Sequence, residues 1–322
     1  MFEQSSVPND ALQPIHETVI WATRLRENSL ERRIPIDLFY NPDVLNGVDI
    51  LLGAGGYGEE KFAAIEGVRK FGELAIAAAF MVHPFDRKKV PGRNIAGMKR
   101  DEELRLWIEK ILIEGPLFVA SELNEKAGKP SDSPVDLYGN SMSAGGNIMS
   151  ASRAPERFHI VEAQAPAGVN DRTVAMSESK RIHSLLRDMG VNLNRPEQNI
   201  LKDRRNIRAG MEIFRRAVID IMQRRFNTKV GYAVTADIVP DIAKLHGLKG
   251  EDFGLWLGSD DPVAQLTQVR RSLKLYSSEN HQANLADIIR VYEGSHTALY
   301  ANGIRPQLEP IGVHILERRK AS

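Results

Sequence analysis

Short apolar runs alternate with helical patterns along most of this chain, and this alternation constrains the fold more than any other feature. Strands are predicted at 17–22, 34–40, 48–52, 74–82, 135–138, 158–165, 229–236, 252–258 and 288–292. Several of these runs are almost continuously apolar, which is typical of strands that helices cover on both faces of a parallel sheet. The sequence therefore predicts an α/β fold with a mostly parallel central sheet and helices on both faces.

Helices are predicted where apolar residues recur every three to four positions. This period is present over 59–71, 101–126 and 203–226, with an interruption in the second pattern at Gly115-Pro116. The tail beyond Gly303 is predicted to hold an extended segment at 311–316, before a charged end.

A basic helical segment interrupts the alternation in the second half of the chain. Between Asn170 and Lys229, Lys and Arg clearly outnumber Asp and Glu. We therefore divide the chain into the first part of an α/β core over 1–167, a helical insertion over 168–228, and the second part of the core over 229–322.

The composition argues against several classes of protein. Lys and Arg number 43 against 42 Asp and Glu, which does not favour a nucleic-acid binder. The absence of cysteine excludes disulfides, thiolate metal sites and a cysteine nucleophile. No His, Asp and Glu cluster has the spacing of metal ligands, so we expect neither a metal nor a cofactor. The polar start of the chain and the lack of a long apolar stretch predict a cytoplasmic protein without a membrane span.

The segment from Val135 to Gly146 has the pattern of a nucleophile at a sharp turn between a strand and a helix. Such a turn needs small residues two positions on either side, because its strained backbone brings them into near contact. Gly139 and Ser143 meet this requirement around Ser141. Ser143 is the alternative nucleophile, but Gly139 directly after the strand favours Ser141. Backbone N–H groups at the start of the helix would favour negative charge there.

This segment resembles the G-x-S-x-G nucleophile turn of the α/β-hydrolase family, with Ser143 in place of the second glycine. The resemblance extends from about residue 34 to residue 300. It implies the α/β-hydrolase fold, and it implies that the basic insertion is a helical cap above the site.

The family order of nucleophile, acid and histidine points to two later loops. The segment 253–263 resembles the family's acid loop and selects Asp261, with Asp260 and Asp237 as alternative acids. An Asp after a strand more often caps a helix, so these alternatives stay open. The segment 291–297 resembles the final loop and selects His296 as the general base.

The resemblance also implies two backbone donors for an oxyanion hole. One is the N–H of Met142, directly after the nucleophile. The other would come from the loop after the third strand, where Leu52-Gly53 replaces the usual His-Gly. We place this donor at Ala54, with Gly55 as the alternative.

These assignments imply a serine hydrolase of the carboxylic ester type. Ser141, His296 and Asp261 would cleave an ester or related acyl bond of a small molecule through an acyl-enzyme. The sequence leaves open whether the chain forms a homo-oligomer.

Two alternative functions come from other features of the chain. The apolar run 48–52 followed by Gly53-x-Gly55-x-x-Gly58 fits a dinucleotide-binding turn, which would indicate a nicotinamide- or flavin-dependent oxidoreductase. That class expects an acid at the end of the next strand, whereas Asp86 stands late and behind a proline. The other alternative is a non-catalytic binding protein on the α/β-hydrolase scaffold, because two motif positions depart from the family pattern.

Overall fold

The computed structural model describes residues 14–42, 49–54, 65, 67–68, 71, 78–82, 98–169, 237–281, 283–294, 296 and 305–322. Its strands are β1 (Ile15–Thr23), β2 (Arg32–Tyr40), β3 (Leu51–Ala54), β4 (Ala78–Val82), β5 (Val135–Asn140), β6 (Phe158–Gln164), β7 (Phe253–Gly258) and β8 (Ile289–Tyr292). Its α-helices are α1 (Met98–Lys126), α2 (Met142–Arg153), α3 (Val239–Lys249), α4 (Leu266–Glu279) and α5 (Arg305–Ala321).

The strands that the structure describes form one sheet in the order β1-β2-β4-β3-β5-β6-β7-β8. β2 is antiparallel to both of its neighbours, β1 and β4, and every neighbouring pair from β4 to β8 is parallel. The predicted α/β class with a mostly parallel sheet is therefore confirmed. Because β5, β6, β7 and β8 are parallel neighbours, the loops after them leave the sheet at one common edge.

Two apolar clusters cover the two faces of this sheet. Neighbouring residues of the central strands β5 and β7 belong to different clusters: Leu137 and Leu255 lie with α1 to α4, whereas Tyr138 and Trp256 lie with α5. Side chains of a strand alternate between faces, so the clusters are on opposite sides. The central strands β5 and β7 are buried at every position, which explains why their sequences are mostly apolar.

The tail was predicted incorrectly. Residues 311–316 are not extended but lie within α5, which also contains Pro310. Leu308, Ile311 and Ile315 are fully buried, and their spacing of three and four residues is that of one helix face. The proline masked this period in the sequence. The interruption considered at Gly115-Pro116 does not occur either, since α1 continues through it.

Several predictions lie partly or wholly outside the described residues. These are the strand at 229–236, the helix at 203–226, most of the helix at 59–71, and the start of the strand at 74–82. Almost all of the predicted insertion, 168–228, also lies outside them, so the domain division stays a prediction. In the part of the chain that is described, no helix combines the length and the apolar character needed to cross a bilayer.

Candidate active site

Ser141 occupies the turn between β5 and α2 with a backbone conformation that is rare for serine. Its φ is 56° and its ψ is −121°, in the left-handed range that side chains other than glycine disfavour. Three backbone bonds hold this conformation. Ser141 N–H donates to the Gln164 carbonyl at 2.9 Å, and the Ser141 carbonyl accepts from Ala167 N–H at 2.9 Å and from Gly145 N–H at 3.2 Å. Such strain persists only where the surrounding structure imposes it.

The glycine two residues before Ser141 leaves space that the turn needs. A Cβ atom at Gly139 would lie 2.5 Å from the Asn147 amide nitrogen and 2.9 Å from the Ala144 backbone. Asn147 in turn donates from this amide to the Tyr138 carbonyl at 2.8 Å. The backbone nearest to this position is therefore that of Ala144, the third residue after Ser141, and not that of Ser143, where the sequence placed the second small residue.

His296 is in contact with both Ser141 and Asp261. Its Nε2 atom lies 2.8 Å from Ser141 Oγ, and its Nδ1 atom lies 2.9 Å from Asp261 Oδ2. Both His296 and Asp261 are buried, with exposed fractions of 4% and 5%. An ionised carboxylate only accepts hydrogen bonds, so the proton of a neutral His296 belongs on Nδ1. Nε2 is then free to accept the proton of the Ser141 hydroxyl.

The Asp261 carboxylate is oriented by its own loop. Its Oδ1 atom accepts hydrogen bonds from the backbone N–H of Val263 at 2.7 Å and of Ala264 at 2.8 Å. These bonds turn the second oxygen, Oδ2, toward His296. A carboxylate held in this way fixes both the tautomer and the direction of the imidazole.

Backbone bonds join the acid loop to the histidine loop. Ser259 N–H donates to the Tyr292 carbonyl at 2.9 Å, and Asp260 N–H donates to the Gly294 carbonyl at 3.0 Å. The two loops follow β7 and β8, which are parallel neighbours. The sheet edge therefore brings together side chains that are far apart in the chain.

The two alternative acids have other positions. Asp237 is exposed just before α3, where its carboxylate accepts a hydrogen bond from Val239 N–H at 3.4 Å, close to the helix-capping role that its position suggested. The side chain of Asp260 is exposed, although its backbone takes part in the loop contact. The alternative nucleophile Ser143 is buried in the first turn of α2. The acid in contact with His296 is Asp261.

The predicted oxyanion donors both lie beside the turn. Met142 is the first residue of α2, where backbone N–H groups have no partner within the helix. Ala54 is the last residue of β3, and its register partner is Gly139, two residues before Ser141. The alternative donor Gly55 lies outside the described residues. The role of these N–H groups stays a prediction.

Asn140 contacts the site in a way that the sequence did not suggest. This residue ends β5 directly before Ser141, it is 5% exposed, and its amide donates to the main-chain carbonyl of His296 at 3.3 Å. A polar amide directly before the predicted nucleophile was the available signal.

Some residues that the predictions named lie outside the described residues. These are Gly58 and Asp86 of the oxidoreductase alternative and the helix at 203–226 of the predicted cap. Within the described ranges, no group of three or more His, Asp and Glu residues is arranged to hold a metal ion.

Comparison with known proteins finds similarity in structure only. Neither the protein-family models nor the curated proteins contain a match. A carboxylesterase of the thaumarchaeon Nitrososphaera gargenis matches at a TM-score of 0.54 and 12% identity, over 94% of this chain and 100% of that one. The 2-hydroxy-6-oxo-6-phenylhexa-2,4-dienoate hydrolase of a Rhodococcus species matches at a TM-score of 0.52 and 12% identity, over 95% of this chain and 100% of that one. A serine hydrolase of Cycloclasticus zankles matches at a TM-score of 0.51 and 14% identity, over 94% of this chain and 96% of that one. At these identities the likeness concerns the fold, and it confirms the fold class that the sequence predicts.

Proposed function

We propose that this chain, which has the α/β-hydrolase fold, is a serine hydrolase that cleaves an ester or related acyl bond of a small molecule. One observation carries the proposal: Ser141, His296 and Asp261 form a continuous chain of hydrogen bonds of 2.8 and 2.9 Å at one edge of the sheet. The similar structures named above include a carboxylesterase and a serine hydrolase, which is consistent with this chemistry.

The first half of the reaction acylates Ser141. His296 Nε2 accepts the hydroxyl proton while Oγ attacks the carbonyl carbon of the substrate, which becomes a tetrahedral oxyanion. Asp261 stabilises the resulting imidazolium without taking its proton. When the oxyanion collapses, the bond to the leaving group breaks and His296 donates its proton to that group. General base catalysis of this kind contributes about 10²- to 10⁴-fold in rate.

The second half repeats these proton transfers with water. His296 removes a proton from water, the hydroxide oxygen attacks the acyl-enzyme, and the carboxylic acid leaves as Ser141 Oγ regains the proton. The backbone N–H groups of Met142 and Ala54 would donate to the oxyanion in both halves. Loss of one such donor typically costs about 3 to 4 kcal/mol in the barrier.

The backbone strain at Ser141 supports this role for the serine. A φ of 56° belongs to neither a strand nor a helix, and it gives Ser141 the strained turn between strand and helix that is expected of a nucleophile. An ordinary serine that only opened a helix would not need this conformation, because N-cap residues usually have extended backbone.

A fluorophosphonate probe and a short-chain nitrophenyl ester test the proposal together. Wild type should react covalently at Ser141 and hydrolyse the ester, and Ser141→Ala should do neither while keeping the wild-type unfolding curve. Turnover should fall by about 10³-fold or more. Ser143→Ala makes the same chemical change two residues later and should still be labelled.

Three outcomes would overturn the assignment. Wild-type rates in Ser141→Ala would show that the nucleophile lies elsewhere. A folded wild type that reacts with no probe or ester would favour a non-catalytic binding protein, and tightly bound dinucleotide in the purified protein would favour the oxidoreductase.

A further inference from the structure

We propose that Asn140 is a positioning residue that holds the main chain of His296 at a fixed distance from Ser141. This inference rests on the proposed function and concerns the same site. The contact that carries it is the hydrogen bond from the Asn140 amide to the His296 carbonyl at 3.3 Å, between residues that are both buried.

His296 needs such a contact because it stands beyond the end of its strand. The strand β8 ends at Tyr292, and His296 follows four residues later. The hydrogen bonds to Ser141 and Asp261 involve only the imidazole ring. They do not hold the backbone from which the ring projects.

The loop is held on its two sides by different elements. On the acid side, Gly294 accepts a bond from Asp260 N–H at 3.0 Å and donates to Ser259 Oγ at 3.4 Å. On the nucleophile side, the Asn140 amide bonds to His296 itself. Asn140 is the only one of these partners that belongs to the strand carrying Ser141, among the residues described.

This arrangement links the base directly to the nucleophile. Asn140 and Ser141 are consecutive, and Asn140 sits at the end of a central strand whose neighbours are β3 and β6. Any shift of the histidine loop away from β5 would stretch the bond from Asn140. Because an error of about 1 Å in such a distance can cost roughly 10²-fold in rate, one well-placed amide can matter for turnover.

The chemistry of the contact requires an amide. The His296 carbonyl accepts hydrogen bonds, so its partner must donate. An aspartate of nearly the same shape has no donor when ionised and would repel the carbonyl oxygen. Asn140→Asp therefore separates the hydrogen bond from the packing of the side chain.

The experiment compares wild type, Asn140→Ala, Asn140→Asp and a matched control, Asn124→Ala. Asn124 is also a buried asparagine whose amide donates to a backbone carbonyl, that of Ser133 at 2.7 Å, but Ser133 precedes β5 at the opposite edge of the sheet. The measurements are the rate of fluorophosphonate labelling, kcat and KM for a nitrophenyl ester, and unfolding curves.

Both Asn140 variants should lose about 10- to 10²-fold in kcat and in labelling rate, with KM unchanged. Asn124→Ala should keep the wild-type values of both rates even where it unfolds more easily. In Asn140→Asp, the new negative charge beside His296 should also move the acid limb of the kcat/KM profile toward higher pH, because it favours the imidazolium. That shift would show that the new charge faces His296, whereas the loss of kcat at an unchanged KM, measured on the plateau of the pH profile, tests the positioning role.

The outcomes separate the two proposals. Two results would overturn the role of Asn140 and leave the proposed serine hydrolase intact. One is wild-type kcat and labelling in a folded Asn140→Ala. The other is a loss of kcat in Asn124→Ala that matches the loss in Asn140→Ala at an equal loss of stability. A wild type that does not label would overturn the proposed function and this role together. If Asn140→Ala does not fold, Asn140→Asp decides, and a normal kcat on the plateau of its pH profile refutes the inference.

Discussion

Two buried histidine–carboxylate pairs lie in different regions of this molecule. His296 Nδ1 is 2.9 Å from Asp261 at the edge where parallel strands end, and His314 Nδ1 is 2.5 Å from Glu162 between β6 and α5. The two pairs differ at the second ring nitrogen. His296 Nε2 contacts the Ser141 hydroxyl, whereas His314 Nε2 has no hydrogen-bond partner in the described part of the chain.

The surroundings of the second pair are those of a structural contact. The other oxygen of Glu162 accepts a hydrogen bond from the Trp256 indole, and the His314 ring packs edge-on against Trp256 with centroids 5.9 Å apart. Complete burial raises the pKa of Glu162, although the hydrogen bond from His314 opposes this rise. A histidine and an acid therefore do not make a candidate active site by themselves. The first pair differs because a serine hydroxyl lies at the second ring nitrogen and because the pair lies where the parallel strands end.

A third histidine–carboxylate pair, His159 and Asp136, lies closer to the surface. His159 Nδ1 lies 3.5 Å from Asp136, but its side chain is 37% exposed, and Asp136 receives a shorter bond of 2.6 Å from Arg319. The hydrogen bond to Asp136 raises the pKa of His159, and partial burial opposes this rise. The three pairs thus range from a candidate catalytic contact to a surface contact.

Breaking the first pair should have the largest effect. Asp261→Asn keeps the shape of the side chain but offers His296 an amide, which favours the wrong tautomer. We expect kcat for a nitrophenyl ester to fall by about 10⁴-fold. Asp237→Asn and Asp260→Asn make the same change at the alternative acids and should keep wild-type kcat. A large loss in Asp237→Asn with normal turnover in Asp261→Asn would reverse the assignment of the acid.

Breaking the second pair should affect stability and not turnover. His314→Ala leaves Glu162 buried without its partner, so the free energy of unfolding should fall by about 3 to 5 kcal/mol. Denaturant unfolding measures this loss, and kcat per folded molecule should stay unchanged. Replacing both partners by leucine should recover most of the stability, because two apolar side chains leave no unpaired charge. Lost turnover in folded His314→Ala would show that this pair also serves the site.

Closing the space beside the nucleophile should have an intermediate effect. The added methyl group in Gly139→Ala would overlap Asn147 and the Ala144 backbone, so either the turn or α2 must move. We expect a loss of about 1 to 3 kcal/mol in stability, together with slower labelling of Ser141. Gly247→Ala is the matched control, because a Cβ there meets no atom within 4 Å. Normal labelling in Gly139→Ala would contradict the tight fit.

Breaking the third pair should have the smallest effect on stability, and this effect should depend on pH. Because the pKa of His159 in the folded state lies above its ordinary value of 6.5, the pair stabilises the fold fully below that value. This contribution is lost as the pH rises through the raised pKa. His159→Gln should remove that pH-dependent part, less than about 1 kcal/mol. Unfolding curves at about pH 5.5 and about pH 8.5 measure it; an identical pH dependence in the variant would contradict it.

The residues of the candidate site were predicted from the family resemblance and its chain order, and their catalytic roles stay predictions. Ser141, Asp261 and His296 each follow a predicted strand, and parallel strands that neighbour one another end at one edge. Chain order could not choose between Asp261 and Asp237, because both follow apolar runs. The choice depends on which loop bonds to the histidine loop, and this is a property of the folded chain.

The sequence was least informative where side-chain contacts override local pattern. Pro310 concealed the helical period of α5, although burial of Ile311 and Ile315 against the sheet stabilises the helix through it. The polar residues Glu162 and Asn140 had no partner that spacing could identify. Their contacts with His314 and His296 join positions more than 150 residues apart.

The separation of the three groups along the chain has a practical consequence. A polypeptide that ended between β6 and α3 would contain the alcohol of Ser141, but the imidazole and the carboxylate would belong to the complementary piece. Under the proposed mechanism, neither fragment alone would be acylated at a useful rate. If the two are mixed, recovered ester cleavage would then report that β7 has docked onto β6, and the proposed activity would serve as a reporter of fragment reassembly.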